Sequence, residues 1–200
     1  MTWPRGGNDS GGNHSGGNDR GGNDSASYQQ AVVLSVGSNL GDRLANLQLG
    51  LDVLGRGGLE LRAVSSVYET DPVGGPDQAD YLNAVLLAGS SLAPRDILAR
   101  CAAAEAAAGR VRTQRWGPRT LDVDIIACGS VISADQALTL PHPRAHERAF
   151  VLVPWLELDP QAVLPGRGPV AELVADVPMA GVRRRPDLRL AMQGADAPCS

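Results

Sequence analysis

An α+β domain, built on one antiparallel sheet with its helices on one face, is the fold class that the sequence predicts. Three observations lead there. Short runs rich in apolar and β-branched residues recur four times, each bounded by Gly, Pro or Asp. Two of them are followed by segments with helical signals. The resulting order is strand, helix, strand, strand, helix, strand, then further helix, which is the split β-α-β repeat of ferredoxin-like domains.

Residues 31–36 (AVVLSV) form the first strand, ending at the turn 37–42 (GSNLGD). Leu44, Leu47, Leu51 and Leu54 then repeat at spacings of three and four, a helical stripe that Asp42 caps and Gly55 ends. Residues 59–69 read as one continuous second strand. Residues 70–80 (TDPVGGPDQAD) are too long and too rich in Pro and Gly for a tight hairpin, and long connections often carry function. Residues 81–88 (YLNAVLLA) give the third strand. Residues 94–108 form a helix, with Pro near its first turn and Gly109 past its end. A second functional-looking loop, 109–118, leads to a fourth strand at 120–128. Residues 139–143 read as extended, 147–158 as a helix interrupted near Pro154, and 170–175 as a short helical turn.

Composition bounds the rest. Residues 6–25 are pentapeptides (GGNDS, GGNHS, GGNDR, GGNDS) that bury nothing, so residues 1–28 are expected to be a flexible, passive tail whose His14 is no ligand. Residues 29–177 then suit one domain, and 178–200 are expected to be loose. A formal charge of −4 argues against a general nucleic-acid binder. Three cysteines with no metal spacing fit a reducing cytoplasm, with Cys101 and Cys128 as small apolar residues. No run has transmembrane length, and no apolar leader is visible.

The chemistry concentrates at residues 115–126 (RWGPRTLDVDII). On an extended strand Leu121, Val123 and Ile125 point one way, and Asp122 and Asp124 the other, about 7 Å apart. Two carboxylates on one face repel unless a cation sits between them, and divalent ions bridging a polyphosphate are the natural candidate. Alone, such a pair reads first as a half-exposed strand with two solvated acids. Arg110, Arg112, Arg115 and Arg119 change that balance, because guanidinium groups suit bidentate phosphate contacts. Metal-holding acids beside phosphate-holding arginines make a phosphoryl-transfer constellation.

Further stretches fall in order around this one: Gly37-Ser38-Asn39-Leu40, Tyr68-Glu69-Thr70-Asp71-Pro72, Asp80-Tyr81-Leu82-Asn83, Gly109-Arg110-Val111-Arg112, Pro141-His142-Pro143-Arg144 and Arg148-Ala149-Phe150. Together they resemble the 6-hydroxymethyl-7,8-dihydropterin pyrophosphokinases of folate biosynthesis, over about residues 32–160. The resemblance implies transfer of pyrophosphate from ATP to the pterin hydroxymethyl group, giving AMP. It implies two Mg²⁺ ions on Asp122 and Asp124, and catalytic roles for Arg110 and Arg119. Around ATP it implies Arg112, Arg115, Ile125, Thr139, His142 and Arg148. For the pterin it implies Phe150 and Tyr81 as the stacking pair, Asn83 and Thr70 on the polar edge, Gly37 and Asn39 in the first turn, and Trp116 folding over. With only seven aromatic residues in the chain, their positions carry information. The chain departs from the family pattern at Ala102 and Ala103, Thr113-Gln114, Asp71 and Ala137, and the residues after about 178 have no counterpart.

A cytoplasmic monomer with small-molecule partners, and neither nucleic acid nor membrane, completes the reading. The competing readings are a nucleotidyltransferase, which would release pyrophosphate instead of AMP, a nucleic-acid module on a ferredoxin-like sheet, and an inactive domain with adhesive repeats, against which Asp122, Asp124 and Arg119 argue. The second needs exposed strand aromatics beside basic residues, and Tyr81 alone qualifies.

Overall fold

The computed structural model describes residues 29–72, 78–110 and 117–192. The proposed tail at 1–28, and Arg112, Arg115 and Trp116, lie outside the described residues. Strand β1 (Gln30–Ser38) is apolar on both faces and takes a central place in the sheet. Helix α1 (Arg43–Arg56) follows, capped by Asp42, whose carboxylate accepts the Ala45 N–H at 3.1 Å. It ends at Gly57, two residues beyond the expected stop. Leu47, Leu51 and Leu54 are its buried stripe.

The single strand expected over 59–69 is two: β2 (Glu60–Val64) and β3 (Tyr68–Thr70). The break is at Ser65, whose N–H donates to Val85 O while its hydroxyl accepts the Val85 N–H, replacing ladder bonds with a local crossover. Both pieces pair antiparallel with β4 (Tyr81–Ser90), and β4 pairs antiparallel with β1. Helix α2 (Pro94–Ala107) leads to β5 (Asp122–Cys128), antiparallel on the other side of β1. Taking β2 and β3 as one strand, the order is that of the split β-α-β core.

Helices α1 and α2 cover one face, where Val32, Leu34 and Val36 meet Leu47, Leu51, Ile97 and Cys101. Burial pushes the Cys101 thiol up to about 12 and Cys128 to about 11, so both stay protonated and serve as packing. The helices are not confined to this face, contrary to the expectation from sequence: the opposite face carries a layer of its own. After the hairpin β6 (Ser133–Asp135) and β7 (Leu138–Leu140) and a 3₁₀ turn at Ala145–Glu147, helix α3 (Ala149–Leu158) lies on that face. Its Val151, Leu152 and Trp155 pack with Val33, Val85 and Leu87. A second hairpin, β8 (Val163–Leu164) and β9 (Gly168–Pro169), and helix α4 (Val170–Ala175) extend this layer. The apolar half of each strand's second face is thereby buried, and only the half near Gly37, Asn83 and Asp124 opens to a cavity.

The segment after residue 177 is not wholly loose. Strand β10 (Val182–Arg184) pairs antiparallel with β3 at the sheet edge. Arg185 secures it through Glu69 at 2.8 Å. Burial alone would raise the Glu69 carboxyl, but hydrogen bonds from Arg43 and Arg185 outweigh it and hold the group below its usual range. Among the described residues no helix is long and apolar enough to cross a membrane.

Candidate active site

Alternation along β1, β4 and β5 builds one wall. Residues 32, 34 and 36 enter the core, leaving Ser35 and Gly37 on the other face; Tyr81 and Asn83, and Asp122 and Asp124, join them. The cavity over this wall has a volume of about 550 Å³. His142, Arg144, Arg148 and Phe150 from the β7–α3 connection and the start of α3 line its opposite side.

One end of the cavity is charged. Asp122 takes Arg110 on Oδ1 at 2.7 Å and Arg119 on Oδ2 at 2.6 Å. Asp124 takes Arg148 at 3.0 Å, with His142 Nε2 at 3.8 Å. Burial lowers the His142 pKa below its usual value, against the opposing pull of Asp124. Its Nδ1 accepts the Arg144 N–H at 3.2 Å. The neutral ring therefore carries its proton on Nε2, on the Asp124 side.

At the other end the buried polar groups are uncharged, and the Asp71 carboxylate at its rim is paired with Arg183. Asn83 is buried and donates from Nδ2 to Thr70 Oγ1 at 2.8 Å. Its Oδ1 faces Gly37, where an added Cβ would approach to 2.9 Å; only glycine leaves that amide in place. Burial raises the Tyr81 phenol, with Arg119 opposing, so it stays a protonated donor. Phe150 lies under the Arg148 guanidinium, 5.5 Å from its ring centroid.

Of the residues named from sequence, Gly37, Thr70, Tyr81, Asn83, Arg119, Asp122, Asp124, His142, Arg148 and Phe150 line this one cavity, and Arg110 stands behind Asp122. Three more do not line it. Ile125 is buried under α1 and α2, because it lies on the opposite side of β5 from its neighbour Asp124. Thr139 closes the β6–β7 hairpin, donating its hydroxyl to Asp135 O at 3.1 Å. Asn39 is buried as a bracket: its Oδ1 accepts the Arg119 N–H at 2.7 Å, and its Nδ2 donates to Gln78 and Ala79 O. It fixes the backbone that presents Arg119.

Sequence reasoning missed Glu105. This carboxylate, buried on α2, accepts the Val123 N–H at 3.0 Å and pairs with Arg110, so it ties helix, strand and arginine together. The signal was its isolation as a lone charge in an alanine run.

A family model described as 7,8-dihydro-6-hydroxymethylpterin-pyrophosphokinase (HPPK) matches residues 33–160. The chain belongs to this family. The 2-amino-4-hydroxy-6-hydroxymethyldihydropteridine pyrophosphokinase of Mycobacterium tuberculosis (strain H37Rv) is 52% identical over 159 residues, covering 73% of this chain and 83% of that protein. The protein of the same name from Pseudomonas aeruginosa is 40% identical, covering 78% of this chain and 98% of its own length. Among solved structures, the wild-type HPPK-DHPS of Plasmodium falciparum aligns with a TM-score of 0.56 at 13% identity. That alignment covers 74% of this chain and 44% of the Plasmodium chain, and at that identity it speaks for the fold alone.

Proposed function

We propose that the chain transfers the pyrophosphoryl group of ATP to the hydroxymethyl group of 6-hydroxymethyl-7,8-dihydropterin, in folate biosynthesis. Family membership and relatives at 52% and 40% identity support this reading. The observation that carries it is a cavity that joins a cluster of acids and guanidiniums to a set of uncharged polar and aromatic side chains. In the reaction the hydroxymethyl oxygen attacks the β-phosphorus and forms a new P–O bond. The bond from that phosphorus to the α,β-bridging oxygen breaks, AMP leaves with the electron pair, and the hydroxyl proton passes to solvent.

The acids suit Mg²⁺. Both are hard oxygen donors on one strand face, with side chains 24% and 34% exposed toward the cavity. An ion held by these carboxylates would take the rest of its shell from water and phosphate. Asp122 and Asp124 would hold two such ions. Bound Mg²⁺ would neutralise phosphate charge on both sides of the transferred group.

The chain's own groups do the positioning. Arg119 and Arg148 are held beside the acids by ion pairs, so their guanidiniums already stand at the charged end and can turn to phosphate oxygens, while Arg110 backs Asp122 from behind. The Nε2–H of His142 is a neutral donor for the same oxygens. Phe150 and Tyr81 offer faces for the flat pterin, and Asn83 and Thr70 offer its polar edge an amide and a hydroxyl. Incubation with ATP, Mg²⁺ and the dihydropterin should yield AMP and the pterin diphosphate in equal amounts. Pyrophosphate released in place of AMP would contradict the reading.

A further inference from the structure

The cavity's neutral end has a wall that lies beyond the span matched by the family model. Pro178, Ala180, Gly181 and Val182 line the cavity beside Thr70 and Asp71. Val182 pairs with Thr70 in the sheet, so the wall is in register with the residue that holds Asn83. Gly181 has φ +78°, and a Cβ there would come within 2.6 Å of Asp71 Oδ2; the glycine lets the two segments touch. The Asp71 N–H points at Gly181 O at 3.4 Å.

One side chain joins this wall to the pterin groups. Arg183 reaches Asp71 Oδ1 at 2.9 Å and Asp80 Oδ2 at 2.7 Å. Asp71 follows Thr70 and Asp80 precedes Tyr81, so the guanidinium sits between the carriers of two cavity-lining residues. Without it, two carboxylates on neighbouring strand ends would repel. Arg43 holds the same junction from the other side, donating to Asp80 O at 2.7 Å and to Glu69.

We propose that Pro178, Ala180, Gly181 and Val182 form a specificity wall of the pterin end, and that Arg183 is a positioning residue that holds Thr70 and Tyr81 at the spacing the pterin needs. This rests on the functional reading above. The pairs are exposed, so the effect is modest: exposed ion pairs are individually weak, and the loss should be about five- to ten-fold.

The test is steady-state kinetics of AMP release by the full chain, varying 6-hydroxymethyl-7,8-dihydropterin and ATP separately, with melting temperatures alongside. Arg183→Ala should raise the pterin KM about five- to ten-fold, with ATP KM and kcat within about two-fold. Arg183→Lys should recover most of the loss. Ala180→Leu, which removes no ion pair but thickens the wall, should raise the pterin KM as well. An unchanged pterin KM in Arg183→Ala and Ala180→Leu overturns the proposal. So does an equal rise in both KM values with a falling melting temperature, the mark of a merely structural role. A wild-type chain that releases no AMP overturns the functional reading first, and the wall assignment with it.

Discussion

The two ends of the cavity are held in different ways. At the β5 end every acid is answered by a guanidinium: Asp122 by Arg110 and Arg119, Asp124 by Arg148. Arg119 and Arg148 line the cavity themselves, so these pairs keep like charges from repelling and stand open to a polyphosphate and its cations. At the β4 end Asn83 and Thr70 are 4% and 5% exposed and joined by one hydrogen bond. The charged end is a set of open ion pairs, and the neutral end is a preformed edge. Damage to the first should fall on chemistry, and damage to the second on recognition.

The largest effect should come from the acids. Asp122→Ala or Asp124→Ala should lower turnover by about a thousand-fold or more with the fold intact by circular dichroism. Near-normal turnover in either would remove the metal assignment. Next, Asn83→Leu should reduce kcat/KM for the pterin by about ten- to a hundred-fold, since it removes a hydrogen-bonding edge and leaves Thr70 without its donor. Gly37→Ala should act in the same direction but less, about ten-fold, by displacing Asn83 Oδ1. If Gly37→Ala left pterin binding unchanged, the edge would not be preformed.

The smallest effect concerns pH. His142 has a folded pKa lowered below 6.5. Between those two values the unfolded chain binds more protons than the folded one, so stability rises with pH across that window and is lost as pH falls through it. Melting temperature should therefore fall on going from about pH 7.5 to about pH 5, and His142→Gln should lessen the fall. An identical pH slope in the variant would show that the imidazole is not buried as a neutral ring.

Much of this was legible in the chain because strand alternation is strict. One register of β5 placed Val123 and Ile125 in the core and both acids in the cavity. The same rule shows why Ile125 does not line the cavity: its place in the alternation already turned its side chain away. Helix α1 was readable from its leucine stripe and Asp42 cap. What the sequence hid depended on long-range partners. The split of β2 from β3 needs Val85 across the sheet. The docking of β10 needs Glu69, Asp71 and Asp80, over a hundred positions away, to answer Arg183 and Arg185. The second helical layer follows from apolar residues on the far face of β1 and β4, which periodicity in a doubly buried strand cannot assign to a partner.

Separate binding of the two ligands tests the division of the cavity most directly. Calorimetric titration with a non-hydrolysable ATP analogue plus Mg²⁺, and with 6-hydroxymethylpterin, should be run on Asp124→Asn and Asn83→Leu. A crossed result is expected: Asp124→Asn loses affinity for the nucleotide and keeps the pterin, and Asn83→Leu does the reverse. Equal losses of both ligands in both variants would contradict it.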